Sequence, residues 1–113
     1  MYPVTVVEIN DNVVGWGSLS RFRPRAVLAQ TVEVTVYIDH RFHRQGLGKL
    51  ILSDLIDRAR AIGYYSAIAS ISAEQAPSLA LHESFGFRCV AHMVEVGIKF
   101  GQQLDLKYLQ LML

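Results

Sequence analysis

The segment from residue 32 to residue 52 constrains the fold of this chain more than any other. Its sequence, V-E-V-T-V-Y-I-D-H-R-F-H-R-Q-G-L-G-K-L-I-L, is typical of a β-strand, a basic turn with two glycines and the start of an amphipathic helix. The first amides of a helix have no backbone partners, and the helix dipole favours negative charge beside them. Glycine lets the backbone come close to a ligand because it has no Cβ. The segment therefore predicts a phosphate site.

A helix and a second strand follow that turn. Apolar residues recur at helical spacing over residues 47–62, and Gly63 is placed as the C-terminal cap. Residues 64–71 then have the composition of a buried strand. A strand, a crossover helix and a second strand in this order predict a right-handed β-α-β unit with parallel strands.

The rest of the chain predicts four more strands and one short helix. Together with the β-α-β unit they give the order β-β-β-α-β-α-β-β, which is an α/β fold with a mixed sheet. The 113 residues are enough for one core, so we expect a single domain over residues 1–113. The predicted elements are strands at 2–9, 13–19, 30–38, 64–71, 87–96 and 103–113, and helices at 47–62 and 78–85.

Composition narrows the classes of function. Hydrophobic residues make up 51% of the chain and the net charge is +1, which indicates a globular protein without a general affinity for nucleic acid. No signal peptide is visible and no apolar run is long enough to span a membrane, so we expect a cytoplasmic protein without a membrane partner. The single Cys89 suits a reducing compartment and is expected to be a small buried hydrophobe. His40, His43 and His92 show no metal-ligand spacing, so no metal is expected.

Two residues have more than one interpretation from the sequence alone. Glu33 lies on the third predicted strand, and an unpaired buried carboxylate is costly there. It should therefore lie at a sheet edge or in a polar cleft, and the residues by themselves favour the edge. His82 lies on the short second helix, where its simplest role is that of a surface imidazole satisfied by Ser78.

The turn at residues 43–48, H-R-Q-G-L-G, is neither a Walker A loop nor a good dinucleotide fingerprint. Combined with L-H-E-S-F-G-F at residues 81–87 and with the order of elements, it resembles the GNAT acetyltransferase superfamily. The segments V-E-V-T-V-Y-I-D-H-R, P-S-L-A-L-H-E-S-F-G-F and G-I-K-F-G-Q-Q-L-D-L-K-Y-L-Q are similar to its phosphinothricin acetyltransferase branch, which N-acetylates amino acids and their analogues. The resemblance covers essentially the whole chain.

The resemblance implies a reaction and a set of residues. The expected cosubstrate is acetyl-CoA, and the expected acceptor is the primary amine of a small molecule such as an amino acid or an analogue. Glu33 corresponds to the carboxylate that deprotonates the amine, directly or through water, and His82 corresponds to an acid or base whose direction of proton transfer is open. Strand amides near Val36 and Tyr37 would polarise the thioester carbonyl. The implied cofactor-binding residues are Val36, Tyr37, Ile38, His43, Arg44, Gln45, Gly46, Leu47, Gly48 and Gln75.

Three features depart from the family pattern. His43 stands where the family usually has Gln or Arg, and Gln75 stands where an Asn commonly contacts the cofactor. The chain also begins at what would be the family's second strand. Without the first strand and two helices, apolar faces of the sheet and of the first helix should be exposed, which favours a homo-oligomer, expected to be a dimer. The alternative function is a truncated, catalytically weak CoA-binding module or a fragment that requires a partner chain.

Overall fold

The computed structural model describes residues 2–22 and 30–113, which form one mixed sheet and two α-helices. A short 3₁₀ turn at His40–Phe42 links the third strand to the first helix. The elements in chain order are β1 (Val4–Ile9), β2 (Asn12–Arg21), β3 (Thr31–Ile38), α1 (Leu47–Ile62), β4 (Ser66–Ser72), α2 (Ala76–Ser84), β5 (Arg88–Lys99) and β6 (Gln102–Met112).

The sheet has the strand order β1-β2-β3-β4-β6-β5. Only β3 and β4 are parallel among the described strands, and α1 connects them. The predicted α/β order and the β-α-β unit are confirmed. Helix α1 has the predicted bounds, and Gly63 ends it in the left-handed conformation at a φ of 104°. The largest difference is at β5, which continues to Lys99 instead of ending at residue 96.

Both helices pack on one face of the sheet. Leu52, Leu55 and Ala59 of α1 are fully buried against Val32 and other residues of the central strands. Helix α1 can approach β2 closely because Gly17 has no Cβ. A Cβ there would collide with the side chains of α1. Two apolar residues of α2, Leu79 and Leu81, also pack against this core, as does Phe85 directly after the helix.

The opposite face of the sheet, called here the open face, carries apolar side chains that no described helix covers. Val6, Trp16 and Tyr37 lie side by side across β1, β2 and β3, and the Trp16 and Tyr37 rings stack at 6.3 Å. Val4 and Val6 are 66% and 52% exposed. The expected exposure of the sheet is therefore confirmed. The same expectation is wrong for α1, whose apolar stripe is buried.

Two further observations concern predictions of environment. Cys89 is exposed on β5, so the prediction of a buried thiol is wrong, because β5 is an edge strand. No helix within the described residues has the length and apolar character needed to cross a membrane.

The parallel strands β3 and β4 separate after a short paired region. They pair only from Thr31–Glu33 to Ser66–Ile68. Beyond that region β3 continues to pair with β2, and β4 continues to pair with β6. The result is a gap between residues 34–38 and residues 69–72, called here the β3–β4 opening. This opening positions the candidate site.

Candidate active site

The turn after β3 is stabilised by a local ion pair. The Asp39 carboxylate accepts hydrogen bonds from the Arg41 backbone amide at 3.0 Å and from its guanidinium at 2.8 Å. These bonds to Arg41 hold the pKa of Asp39 well below its ordinary range. Arg41 is thus neutralised by its neighbour. Arg44 and Lys49 make no ion pair with residues 2–22 or 30–113, so their charge is available to a phosphate.

The backbone of the turn has the form expected for an anion site. Arg44 and Gly46 are both in the left-handed region, with φ values of 65° and 78°. Gly46 precedes α1 and offers no side-chain cap, so the first amides of the helix are left for an external partner. Open space surrounds the position of a Cβ at Gly46. A run of amides of this kind attracts anions.

His43 anchors this turn to the end of β3. Its Nε2 lies 2.9 Å from the Ile38 carbonyl oxygen. A carbonyl oxygen only accepts, so Nε2 donates this bond. The imidazole of His43, which stands where the resemblance implies Gln or Arg, therefore links the turn to the end of β3.

A cavity of about 470 Å³ extends from this turn to α2. Its size falls within the range of small-molecule sites in proteins. Nine of the ten predicted cofactor residues line it, and Gln45 does not. Sequence reasoning missed four lining residues, although all of them lie inside or beside the motifs that it identified. These are Phe42, Pro77, Ser78 and Leu81.

The register of β3 decides which backbone groups face this cavity. The Asp39 amide donates to the Val14 carbonyl at 2.8 Å, and antiparallel pairs alternate every second residue. The backbone groups of Tyr37 and Thr35 are therefore directed to β2. Those of Val36 and Ile38 are directed to the side where β4 no longer pairs. This register supports the predicted amide donor near Val36 and directs the Tyr37 amide away from the opening.

His82 is buried beside the β3–β4 opening. It is 3% exposed, and its Nδ1 lies 2.8 Å from the Ser78 carbonyl oxygen. Nδ1 must donate that bond, so in the neutral ring Nε2 carries the lone pair. Burial lowers the pKa of His82 below its ordinary value, against the opposing effect of the Ser78 carbonyl. The predicted partner Ser78 is confirmed, but the surface position of the imidazole is wrong, because α2 packs on the core.

A second cavity of about 70 Å³ lies within the opening itself. His82 lines it from the side of α2, and Thr35 and Ser70 line it from the two separated strands. Val36, Gln75 and Ser78 line both cavities. The small cavity therefore adjoins the large one.

Glu33 lies on the open face at the point where the opening begins. It is half-buried, and it pairs in register with Ser20 of β2 and Ile68 of β4. The predicted edge position is wrong, because β3 is flanked by strands on both sides. The carboxylate of Glu33 and the imidazole of His82 thus belong to opposite faces of the sheet, next to one opening.

No group of three or more His, Cys, Asp and Glu side chains within 2–22 and 30–113 is placed to hold a metal ion. The arrangement instead combines a turn with the form of an anion site, an extended cavity, and a buried imidazole in the small cavity that adjoins it. These features suit transfer of a group from a phosphate-bearing carrier to a nucleophile.

Known proteins share this sequence pattern. The profile of the acetyltransferase (GNAT) family matches residues 2–87. An L-methionine sulfoximine/L-methionine sulfone acetyltransferase of Salmonella typhimurium is 43% identical over 112 residues, which is 99% of this chain and 66% of that protein. A phosphinothricin N-acetyltransferase of Streptomyces viridochromogenes is 33% identical over 109 residues, 96% of this chain and 60% of that protein. The chain thus spans 60–66% of the length of these curated relatives.

Solved structures share the fold. An acetyltransferase of Salmonella typhimurium with acetyl-CoA superposes with a TM-score of 0.94 at 42% identity, over 98% of this chain and 64% of that one. A phosphinothricin acetyltransferase of Sinorhizobium meliloti in complex with acetyl-CoA also gives 0.94, at 34% identity, over 99% of this chain and 61% of that one. The mixed sheet and its helices match these neighbours.

Proposed function

The chain belongs to the GNAT acetyltransferase family, and from this premise we propose that it transfers an acetyl group from acetyl-CoA to the primary amine of a small molecule. The observation that carries the proposal is the β3–β4 opening, where a small cavity lined by the buried His82 adjoins the larger cavity of the phosphate turn. Two relatives are named as acetyltransferases of methionine sulfoximine and methionine sulfone or of phosphinothricin. These names support an amino acid or an analogue as the acceptor.

The residues of the large cavity fit acetyl-CoA. The turn around Gly46 offers uncapped amides to the pyrophosphate, with Arg44 and Lys49 as nearby positive charges. The backbone groups of Val36 and Ile38 that face the opening can hold the pantetheine amides in the manner of an added strand. Acetyl-CoA supplies the activated acetyl thioester.

The chain's own residues supply the proton chemistry. The Val36 amide faces the opening and can donate to an oxygen on which negative charge develops. In this proposal Glu33, on the open face, takes a proton from the incoming ammonium group. His82 presents the lone pair of Nε2 from the other side of the sheet, so it accepts a proton in the forward direction.

An assay of thiol release tests this function. We expect turnover with methionine sulfone, methionine sulfoximine or phosphinothricin, and Glu33→Gln should lower kcat/KM for the amine on the order of tenfold or more while KM for acetyl-CoA is unchanged. Glu8→Gln, which removes an exposed carboxylate from β1, is the matched control. No turnover with any primary amine, or equal rates for Glu33→Gln and wild type, contradicts the proposed reaction or the role of Glu33, respectively.

A second candidate function is a CoA-binding module without turnover. The exposed apolar side chains of the open face favour it, because an acceptor pocket needs walls on that side of the opening. Calorimetry separates the two functions. Tight binding of CoA without acetyl transfer to any amine supports the module, and transfer at enzymatic rates rejects it.

We propose that the chain is a homodimer. Its support is the open face together with the β5–β6 hairpin, where Ile98 and Phe100 are 78% and 95% exposed. Light scattering after size-exclusion chromatography should give twice the mass of 12.7 kDa. Phe100→Ser should shift the equilibrium toward the monomer, while Arg60→Ser on the outer side of α1 should leave it unchanged. A monodisperse wild-type monomer at micromolar concentration rejects the dimer.

We further propose that residues 1–113 form one acetyltransferase domain, which the single sheet through the described residues supports. A cytoplasmic location is proposed as well. The free thiol of Cys89 supports it, because free cysteines are typical of reducing compartments.

A further inference from the structure

The small cavity in the β3–β4 opening brings together polar groups from three elements. Thr35 comes from β3, Ser70 from β4 and His82 from α2. None of these hydroxyls belongs to the residues assigned so far to the reaction. The cavity shares Val36 with the large cavity, so a group that reaches its boundary passes the amide that faces the opening.

Thr35 and Ser70 are opposite each other across the opening. Glu33 and Ile68 form the last pair of the parallel region, and both strands then continue for two residues to Thr35 and Ser70. Side chains alternate along a strand, so these two hydroxyls share the face of Glu33. His82 approaches the same cavity from the helical side of the sheet.

The cavity has the volume and the partners that a bound water needs. About 70 Å³ exceeds the space of a single water molecule, and an ordered water requires two to four polar partners. The hydroxyls of Thr35 and Ser70 both donate and accept hydrogen bonds. Nε2 of His82 accepts, because the Ser78 carbonyl fixes the proton of the neutral ring on Nδ1.

We propose that Thr35 and Ser70 are positioning residues that hold a water molecule between the acceptor amine and Nε2 of His82. The inference rests on the proposed acetyl transfer and adds the path of the proton. As the amine nitrogen bonds to the acetyl carbon and the carbon–sulfur bond breaks, the nitrogen gives one proton to the water, which gives one to Nε2. The imidazolium returns that proton through the water to the leaving thiolate. One proton thus moves from nitrogen to sulfur.

The charges around this path are few. The pKa of His82 responds to its burial and to the Ser78 carbonyl, and no charged side chain of the described residues contributes to its shift. The carboxylate nearest in register on β3 is Glu33, two residues before Thr35 on the open face. Ser70 on β4 and Phe87, whose ring meets the imidazole edge-on at 5.2 Å, are uncharged.

The test compares Thr35→Val, Ser70→Ala and the double variant with Ser18→Ala. Ser18 pairs with Thr35 on the same face but does not line the cavity, so it is the matched control. We expect the double variant to lower kcat by about tenfold to a hundredfold, with KM for acetyl-CoA unchanged and the solvent deuterium isotope effect altered. Thr35→Ser, which keeps the hydroxyl, should recover the rate that Thr35→Val loses. A double variant with the wild-type kcat and isotope effect overturns the proposal.

A second measurement does not depend on turnover. In nuclear magnetic resonance of the protein labelled with ¹⁵N at histidine, the Nε2 shift of His82 should change in the double variant and stay at its wild-type value in Ser18→Ala. An unchanged Nε2 shift in the double variant overturns the water site. If the Nε2 shift changes in the double variant but the wild type acetylates no amine, the water site stands and the proposed transferase function fails.

Discussion

His82→Ala is expected to lower kcat/KM for the amine by about 10²–10⁴-fold, because it removes a general base from the end of the cavity. The base acts only in its neutral form. Burial lowers the pKa of His82 below its ordinary value of about 6.5, so the neutral form predominates at pH 7. The part of the wild-type pH–rate profile that depends on His82 should therefore fall as the pH drops through that lowered pKa. The pH–rate profile of the variant should lack this limb.

Two comparisons keep this prediction specific. His82→Gln retains a polar side chain of similar size beside Phe87, so it separates the loss of the base from the loss of packing. His92→Ala removes an exposed imidazole that is paired with Asp105 at 2.8 Å and does not line either cavity. It should keep the wild-type rate. A His82→Gln enzyme that folds, turns over at the wild-type rate and retains the acidic limb contradicts the role of His82.

Local signals account for what the sequence predicted correctly. The bounds of α1 follow from apolar spacing and from Gly63, whose left-handed conformation favours a residue without a Cβ. The phosphate turn is likewise a local feature, and five of its six residues that were predicted to bind the cofactor line one cavity. Both depend on residues that are close together in the chain.

The wrong predictions depend on contacts between distant segments. The interior position of Glu33 follows from the pairing of β3 with β4, which are connected by a whole helix. The exposure of Cys89 follows from the strand order, which makes β5 an edge. The burial of His82 follows from the packing of α2 on the core. No residue type specifies these facts by itself, so periodicity alone did not predict them.

The register of β3 adds a finer limit. Val36 and Tyr37 are neighbours in the same strand, and the sequence assigned their amides to one function. Only the pairing with β2 shows that the two amides have opposite directions. The difference is chemically important, since an oxyanion can be stabilised only by a donor that faces it. Strand register therefore decides which backbone groups enter the mechanism.

Gly46→Val should weaken the binding of acetyl-CoA by about tenfold or more. Gly46 has a φ of 78°, and a β-branched residue in the left-handed region costs about 1–3 kcal/mol. The strain is relieved if the turn moves, and that movement displaces the uncapped first amides of α1 from the phosphate. Because a loss of about 1.4 kcal/mol in binding free energy is a factor of ten, even partial movement should be measurable by calorimetry.

Gly101→Val provides a control with nearly the same backbone geometry. Gly101 has a φ of 76° and, like Gly46, no atom within 4 Å of an added Cβ, but it lies in the turn between β5 and β6. Both variants should lose a similar free energy of unfolding, because they introduce the same strain. Only Gly46→Val should change the affinity for acetyl-CoA. If the two variants bind acetyl-CoA equally well, the first amides of α1 do not hold its phosphates, and the anion site must lie elsewhere along the cavity.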